Sequence, residues 1–359
     1  MTNKQKLLLA TGLMSVALIG SNPAFAAGTT AGTDITNNVT VSFAVGGVTQ
    51  NDKTQSNTFE VDRKVVFTVS EKTTVGTTSV SPGQVDQIVA YTVSNTSNDT
   101  IGFSLGATNS ADGTIAESGS GRGTDNSNVT ITAICVDSLT TGTVGVCDAG
   151  EKTLGSTSLI SNLTADASTT VWVFATVPLT LQDEDVANIT LTATARQADG
   201  SSAFTDIAGS GDANTDMMQT VFAETGAGTH YDGVAWATDD YTLDAAVLSV
   251  AKYSRVISDP MNSTEPKAVP GAVVEYCIAV TNAAGAATAT GISVQDDISA
   301  LELDYVAAFG VKLNGTSVTG NTCAAGTDSG AEAAGVISGT LSDVAASETR
   351  TLVFRATIR

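Results

Sequence analysis

PGQVDQIVAYTVSN at residues 82–95 and PGAVVEYCIAVTN at residues 270–282 are one phrase written twice. Aligned on Asn95 and Asn282, Tyr91 falls on Ile278 and Val93 on Val280, with a one-residue slip after the Pro-Gly. A Pro-Gly turn leads each time into apolar residues at every second position, and an Asn closes the run. Side chains at i, i+2 and i+4 share one face of a strand, so each phrase predicts a half-buried strand between two turns.

The same alternation extends in both directions. Val65, Phe67 and Val69 carry it before the first phrase; Val129, Ile131 and Ala133, then Val171, Val173 and Ala175, then Ile189, Leu191 and Ala193 carry it after. Leu352, Phe354, Ala356 and Ile358 repeat it at the end of the chain. Clusters of Asn, Asp, Gly and Ser separate the runs, as at 95–100 and 112–128. Many short alternating strands joined by turn signals predict an all-β chain of two tandem antiparallel Ig-like sandwiches with short helices or none. Helical periodicity is scarce; a short helix is admitted within 232–251, and 215–225 is ambiguous.

The predicted organisation is a signal peptide at 1–26, an N-terminal strand segment at 27–59, and a first sandwich at 60–200. A Gly- and Asp-rich linker at 201–244 and a second sandwich at 245–359 complete it. Lys4 and Lys6, the apolar run from Leu7 to Ile19 and the small-x-small Ala24-Phe25-Ala26 have the order of a secretory signal. No other stretch is apolar for long enough to span a bilayer as a helix. A secreted protein, extracellular or at the cell surface, is therefore expected. Formal charge is −21, with a pI near 4.1, a surface that repels nucleic acid and anionic lipid.

Cys135, Cys147, Cys277 and Cys323 allow three connectivities. Pairing Cys135 with Cys147 and Cys277 with Cys323 closes one loop inside each sandwich, and an oxidising compartment keeps such bonds. Their spacing suits no zinc site.

The phrase at 270–282, preceded by ISDPMNST at 257–264 and PKAVPG at 266–271, resembles the bacterial DUF11 conserved-repeat domain. AGTDITNNVTVSF at 31–43 resembles the leader that precedes such repeats. The resemblance covers the second sandwich well and the first loosely. It implies an Ig-like module of bacterial surface and extracellular proteins, without catalytic residues to carry over. Cys277 departs from the family strand, and only two units are present.

Nothing in the chain points to an active site. His230 is the only histidine, in GAGTHYD, and no nucleophile elbow or phosphate loop occurs. Calcium is the one cofactor the sequence admits. Asp212, Asn214 and Asp216 begin like a calcium loop, but Met217 stands where the sharp-turn glycine belongs and Ala223 replaces the bidentate glutamate. Asp183 and Asp185 are further candidate oxygen ligands, and a solvated acidic surface is the simpler reading of all five.

Two non-catalytic roles remain. Val39, Val41, Phe43 and Val45 form a patterned strand outside the first sandwich, followed by a polar loop at 49–57. Donated to an open sheet edge of another copy, it predicts a homopolymer, filament or matrix; pairing within its own domain is the competing expectation. The alternative role is a surface adhesin, with Tyr231, Trp236 and Tyr241 as a binding cluster.

Overall fold

The computed structural model describes residues 28–72, 78–113, 123–137, 147–208, 216–225, 230–261 and 264–359. The expected signal peptide lies outside the described residues.

Each phrase forms the strand expected of it. Ser81 and Val269 carbonyls accept from the amides of Gln84 and Ala272, closing a β-turn around each Pro-Gly. Gly83 and Gly271 sit at φ 84° and 88°, where a side chain is strained and Pro-Gly turns require glycine.

The chain opens with an antiparallel ribbon of β1 (Asp34–Val41) and β2 (Lys53–Glu60). The first sandwich follows, built from β3 (Phe67–Glu71), β4 (Thr78–Val80), β5 (Gln87–Asn95), β6 (Ile101–Asn109), β7 (Thr130–Val136), β8 (Lys152–Thr153), β9 (Leu159–Leu163), β10 (Ser168–Thr176), β11 (Val186–Arg196) and β12 (Val234–Leu243). One sheet runs β8-β7-β10-β5-β3 and the other β9-β6-β11-β12-β4. Tyr91, Val93, Phe67, Phe103, Ile189 and Leu191 are fully buried between them, and the Phe67 and Phe103 rings meet at 4.8 Å.

The second sandwich uses β13 (Leu248–Ser258), β14 (Val273–Asn282), β15 (Ser293–Asp297), β16 (Lys312–Gly315), β17 (Asp328–Ser329), β18 (Ala331–Ala333), β19 (Val336–Thr340) and β20 (Thr349–Ile358). Its larger sheet runs β13-β14-β20-β16-β17, the same order as β3-β5-β10-β7-β8. The smaller sheet is only β15-β19-β18. Ile278, Val280, Leu352, Phe354 and Ile337 fill the space between. On the outer face, Glu275 accepts paired hydrogen bonds from both Arg255 and Arg355, tying β13, β14 and β20 together.

Two expectations are corrected. Residues 234–243, assigned to the linker, are a central strand of the first sandwich, with Val186 opposite Thr242 and Thr194 opposite Val234. The admitted helix at 232–251 is β12 followed by the start of β13; the described residues hold no α-helix, only short 3-10 turns at Ala149–Glu151 and Gly155–Thr157. Local composition misled in both cases, because Asp239 and Asp240 read as loop while long-range pairing makes them strand. The disulfides join Cys135 to Cys147 and Cys277 to Cys323.

Candidate interaction surface

Val39, Val41, Phe43 and Val45 lie in an arm that projects from the first sandwich. The arm's root is fixed: Gly32 donates to the Val61 carbonyl, Val61 to Thr33, and Ala31 to Asn98, while the Asn98 amide donates to Thr29 and Asp62. Beyond it the ribbon runs from Asp34 opposite Glu60 to Val41 opposite Lys53. Val45 pairs with Val48 across Gly46 and Gly47, both at positive φ, as a tight two-residue hairpin turn requires.

The expected polar loop at 49–57 is thus mostly the returning strand. Its Thr, Gln, Ser and Asn side chains pair across the ribbon, and the Thr36 and Thr58 hydroxyls meet at 2.7 Å. The segment reads as polar because these residues bury nothing in the monomer.

Pleating puts Ile35, Val39, Val41 and Phe59 on one face of the ribbon and Thr36, Thr40, Thr54 and Thr58 on the other. Val39 is 55% exposed, Val41 53% and Val45 63%. No acidic or basic residue occurs from 35 to 51, in a chain of net charge −21.

A second apolar surface lies at the edge of the second sandwich. β13 is bonded only to β14, and β15 only to β19, among the described strands. Between these two free edges runs a groove of about 450 Å³ lined by Leu248, Val250, Ile278, Val280, Ile292 and Val294. Val250 is 69% exposed. Lys252 closes one end, 2.6 Å from Asp296 and over the Tyr276 ring.

The other candidate residues do not assemble. Asp212 and Asn214 lie outside the described residues. Asp183 accepts the Ala245 amide, and Asp185 accepts the amides of Gln182 and Asn126, so both serve turns. The Asp216 carbonyl accepts from Glu60 at the arm's root. No group of three or more potential metal ligands occurs among the described residues.

Tyr231 is exposed while Tyr241 is fully buried. Trp236 and Tyr241 stand five positions apart on β12, so they point to opposite faces, and no aromatic cluster forms. His230 is exposed and packs edge-on to Tyr231. Glu71 and Asp239 are buried in the first core near Tyr91 and Tyr241. Burial, then the nearby Asp239 carboxylate, pushes both tyrosine hydroxyls above their ordinary value, and Tyr91 donates to the Ile189 carbonyl at 2.7 Å.

No protein-family model matches the chain, and no curated protein matches it. Among solved structures it is similar to the Streptococcus agalactiae AgI/II polypeptide BspA C-terminal domain, at 10% identity and TM-score 0.32, over 82% of this chain and 91% of that one. It is also similar to a putative membrane anchored protein from Corynebacterium diphtheriae, at 11% identity and TM-score 0.19, over 91% and 89% of the two chains. Likenesses this distant leave the function to the chain's own geometry. No helix among the described residues is long and apolar enough to cross a membrane.

Proposed function

We propose that this chain is a secreted, non-catalytic structural protein that self-associates outside the cell through its N-terminal arm. The observation that carries the reading is the arm's apolar face, which no described residue covers. A two-stranded ribbon standing alone in water is marginal, and a partner that buries its face stabilises it. Strongly acidic copies repel one another. The uncharged stretch from 35 to 51 lets such copies approach at low electrostatic cost.

Secretion is supported by the two disulfides and the signal-like leader. The DUF11 resemblance points to the same place. Absence of catalysis is supported by an exposed, lone histidine, by Asp183 and Asp185 serving turns, and by Glu71 and Asp239 lying buried in the first core.

Asp34 and Glu60 face each other across the root, so residues 35–59 can be replaced by an Asn-Gly turn without opening the first sandwich. Sedimentation velocity of the secreted chain should show concentration-dependent association, and the arm-deleted chain should remain a monomer with unchanged circular dichroism. Equal association of both would refute self-association through the arm. A parent chain that stays monomeric at its highest soluble concentration would leave the arm to a foreign partner, the adhesin reading.

A further inference from the structure

The larger sheets of the two sandwiches share one plan, and the smaller sheets differ. In the first, β6 follows β5, takes β9 on one edge and β11 on the other, and β12 then pairs with β11. In the second, β15 follows β14 and takes β19 on one edge. Its other edge has no strand among the described residues. The missing neighbours are the counterparts of β11 and β12. The apolar groove beside Val250 and Val294 lies along that edge, where the first sandwich is closed.

We infer that the arm of one copy completes the second sandwich of another, β1 lying antiparallel to β15 in the place that β11 takes beside β6. The inference rests on the self-association proposed above and names its receiving surface.

The sequences of the two strands support the substitution. NITLTATA at 188–195 in β11 and NVTVSFAV at 38–45 in the arm match in pattern: Asn at the start, apolar residues at alternate positions, and Thr or Ser at the first two of the three positions between, the third being Thr194 in β11 and Ala44 in the arm. Ile189, Leu191, Ala193 and Ala195 are all buried in the first core. Their counterparts Val39, Val41, Phe43 and Val45 are all exposed. One set of side chains fills a sandwich, and the other has no sandwich to fill.

The pairing also carries over. β12 is antiparallel to β11 in the first sandwich, as β2 is antiparallel to β1 in the arm. The hairpin therefore docks as a unit, without unzipping, and the smaller sheet becomes β18-β19-β15-β1-β2. Main-chain hydrogen bonds to the free edge give affinity, and alternate side chains entering the groove set register. Charge agrees: from Tyr276 to Gln295, the stretch containing much of the groove's lining, no acidic or basic residue occurs, and none occurs from 35 to 51 of the arm, whose charged residues between 35 and 59 are Asp52 and Lys53 on the returning side. With the donor in the N-terminal arm and the acceptor in the second sandwich, the contact is heterologous and propagates head to tail.

Val41→Asp and Val250→Asp test the inference, since both side chains are more than half exposed and neither supports a core. Each variant alone is expected to associate with a dissociation constant raised about 30-fold or more, the loss typical of a central interface residue. An equimolar mixture of the two should give a 1:1 dimer and nothing longer, because only one intact arm meets one intact edge. Light scattering after size exclusion reads all three. If Val250→Asp associates like the parent while Val41→Asp does not, the arm docks elsewhere and the inference fails with self-association intact. A mixture that stays monomeric also overturns it. Parent-like association of both variants would remove the arm's role altogether.

Discussion

Replacing Cys277 and Cys323 together by alanine is expected to destabilise the second sandwich by about 4 kcal/mol. The bond spans 46 residues, and closing a loop of that length in the unfolded chain costs about 4 kcal/mol on the chain-entropy account. The 12-residue Cys135–Cys147 loop gives about 3 kcal/mol on the same account. The longer bond also anchors a cluster outside the main core: Cys277 and Cys323 pack with Ala279 and Val353 against Tyr253, Phe309 and Val318 on the outer face of the larger sheet. Guanidinium unfolding of the full chain, followed by Tyr and Trp fluorescence and by far-ultraviolet circular dichroism, should show one transition displaced to lower denaturant. The transition of the first sandwich, which holds both tryptophans, Trp172 and Trp236, should stay in place. Displacement of both together would mean that the two sandwiches unfold as one unit.

The second large effect falls on the Asn that closes each phrase. Asn282 is 1% exposed; its side-chain amide donates to the carbonyls of Ala287 at 2.7 Å and Val344 at 3.0 Å, and its oxygen accepts the Val247 amide at 3.0 Å. Asn95 is fully buried and does the same with Asp99 and Leu163 as acceptors and Ser97 as donor. Each is a clamp between a strand end and two loops. Asn282→Ala takes the side-chain partner from the Ala287 carbonyl and the Val247 amide, while the Val344 carbonyl keeps the Ala289 amide; at about 1–3 kcal/mol for each group left unpaired, less what the loops recover by moving, the expected loss is about 3 kcal/mol. Asn282→Asp should be worse, because it sets a carboxylate against two carbonyl oxygens. Thermal unfolding of the two variants ranks them, and an aspartate variant as stable as the parent would contradict this role.

These residues show what the amino-acid pattern can and cannot disclose. The recurrence of Asn95 and Asn282 marks the clamp in the pattern itself, since a turn asparagine follows the alternating strand both times. The cores follow from the same period of two. What the pattern hides is pairing over long distances. VAWATDDYTL at 234–243 reads as a polar linker because Asp239 and Asp240 interrupt it, yet β11 recruits the whole segment into a sheet. KTQSNTFE at 53–60 reads as a loop because its side chains face water on both sides of an unsupported ribbon. The open edge of β15 is invisible in sequence for another reason: a strand that is missing leaves no residues to read. Only the comparison of one sandwich with the other reveals it.

The arm's coverage in solution is the central claim, and hydrogen–deuterium exchange across a dilution series of the full chain tests it most directly. In dilute protein, peptides spanning 35–59 should exchange quickly, as befits a ribbon with no packed face, while the cores stay protected. At high concentration the arm and the edge strand at 293–297 should become protected together. Arm exchange that stays fast at every concentration would contradict the account.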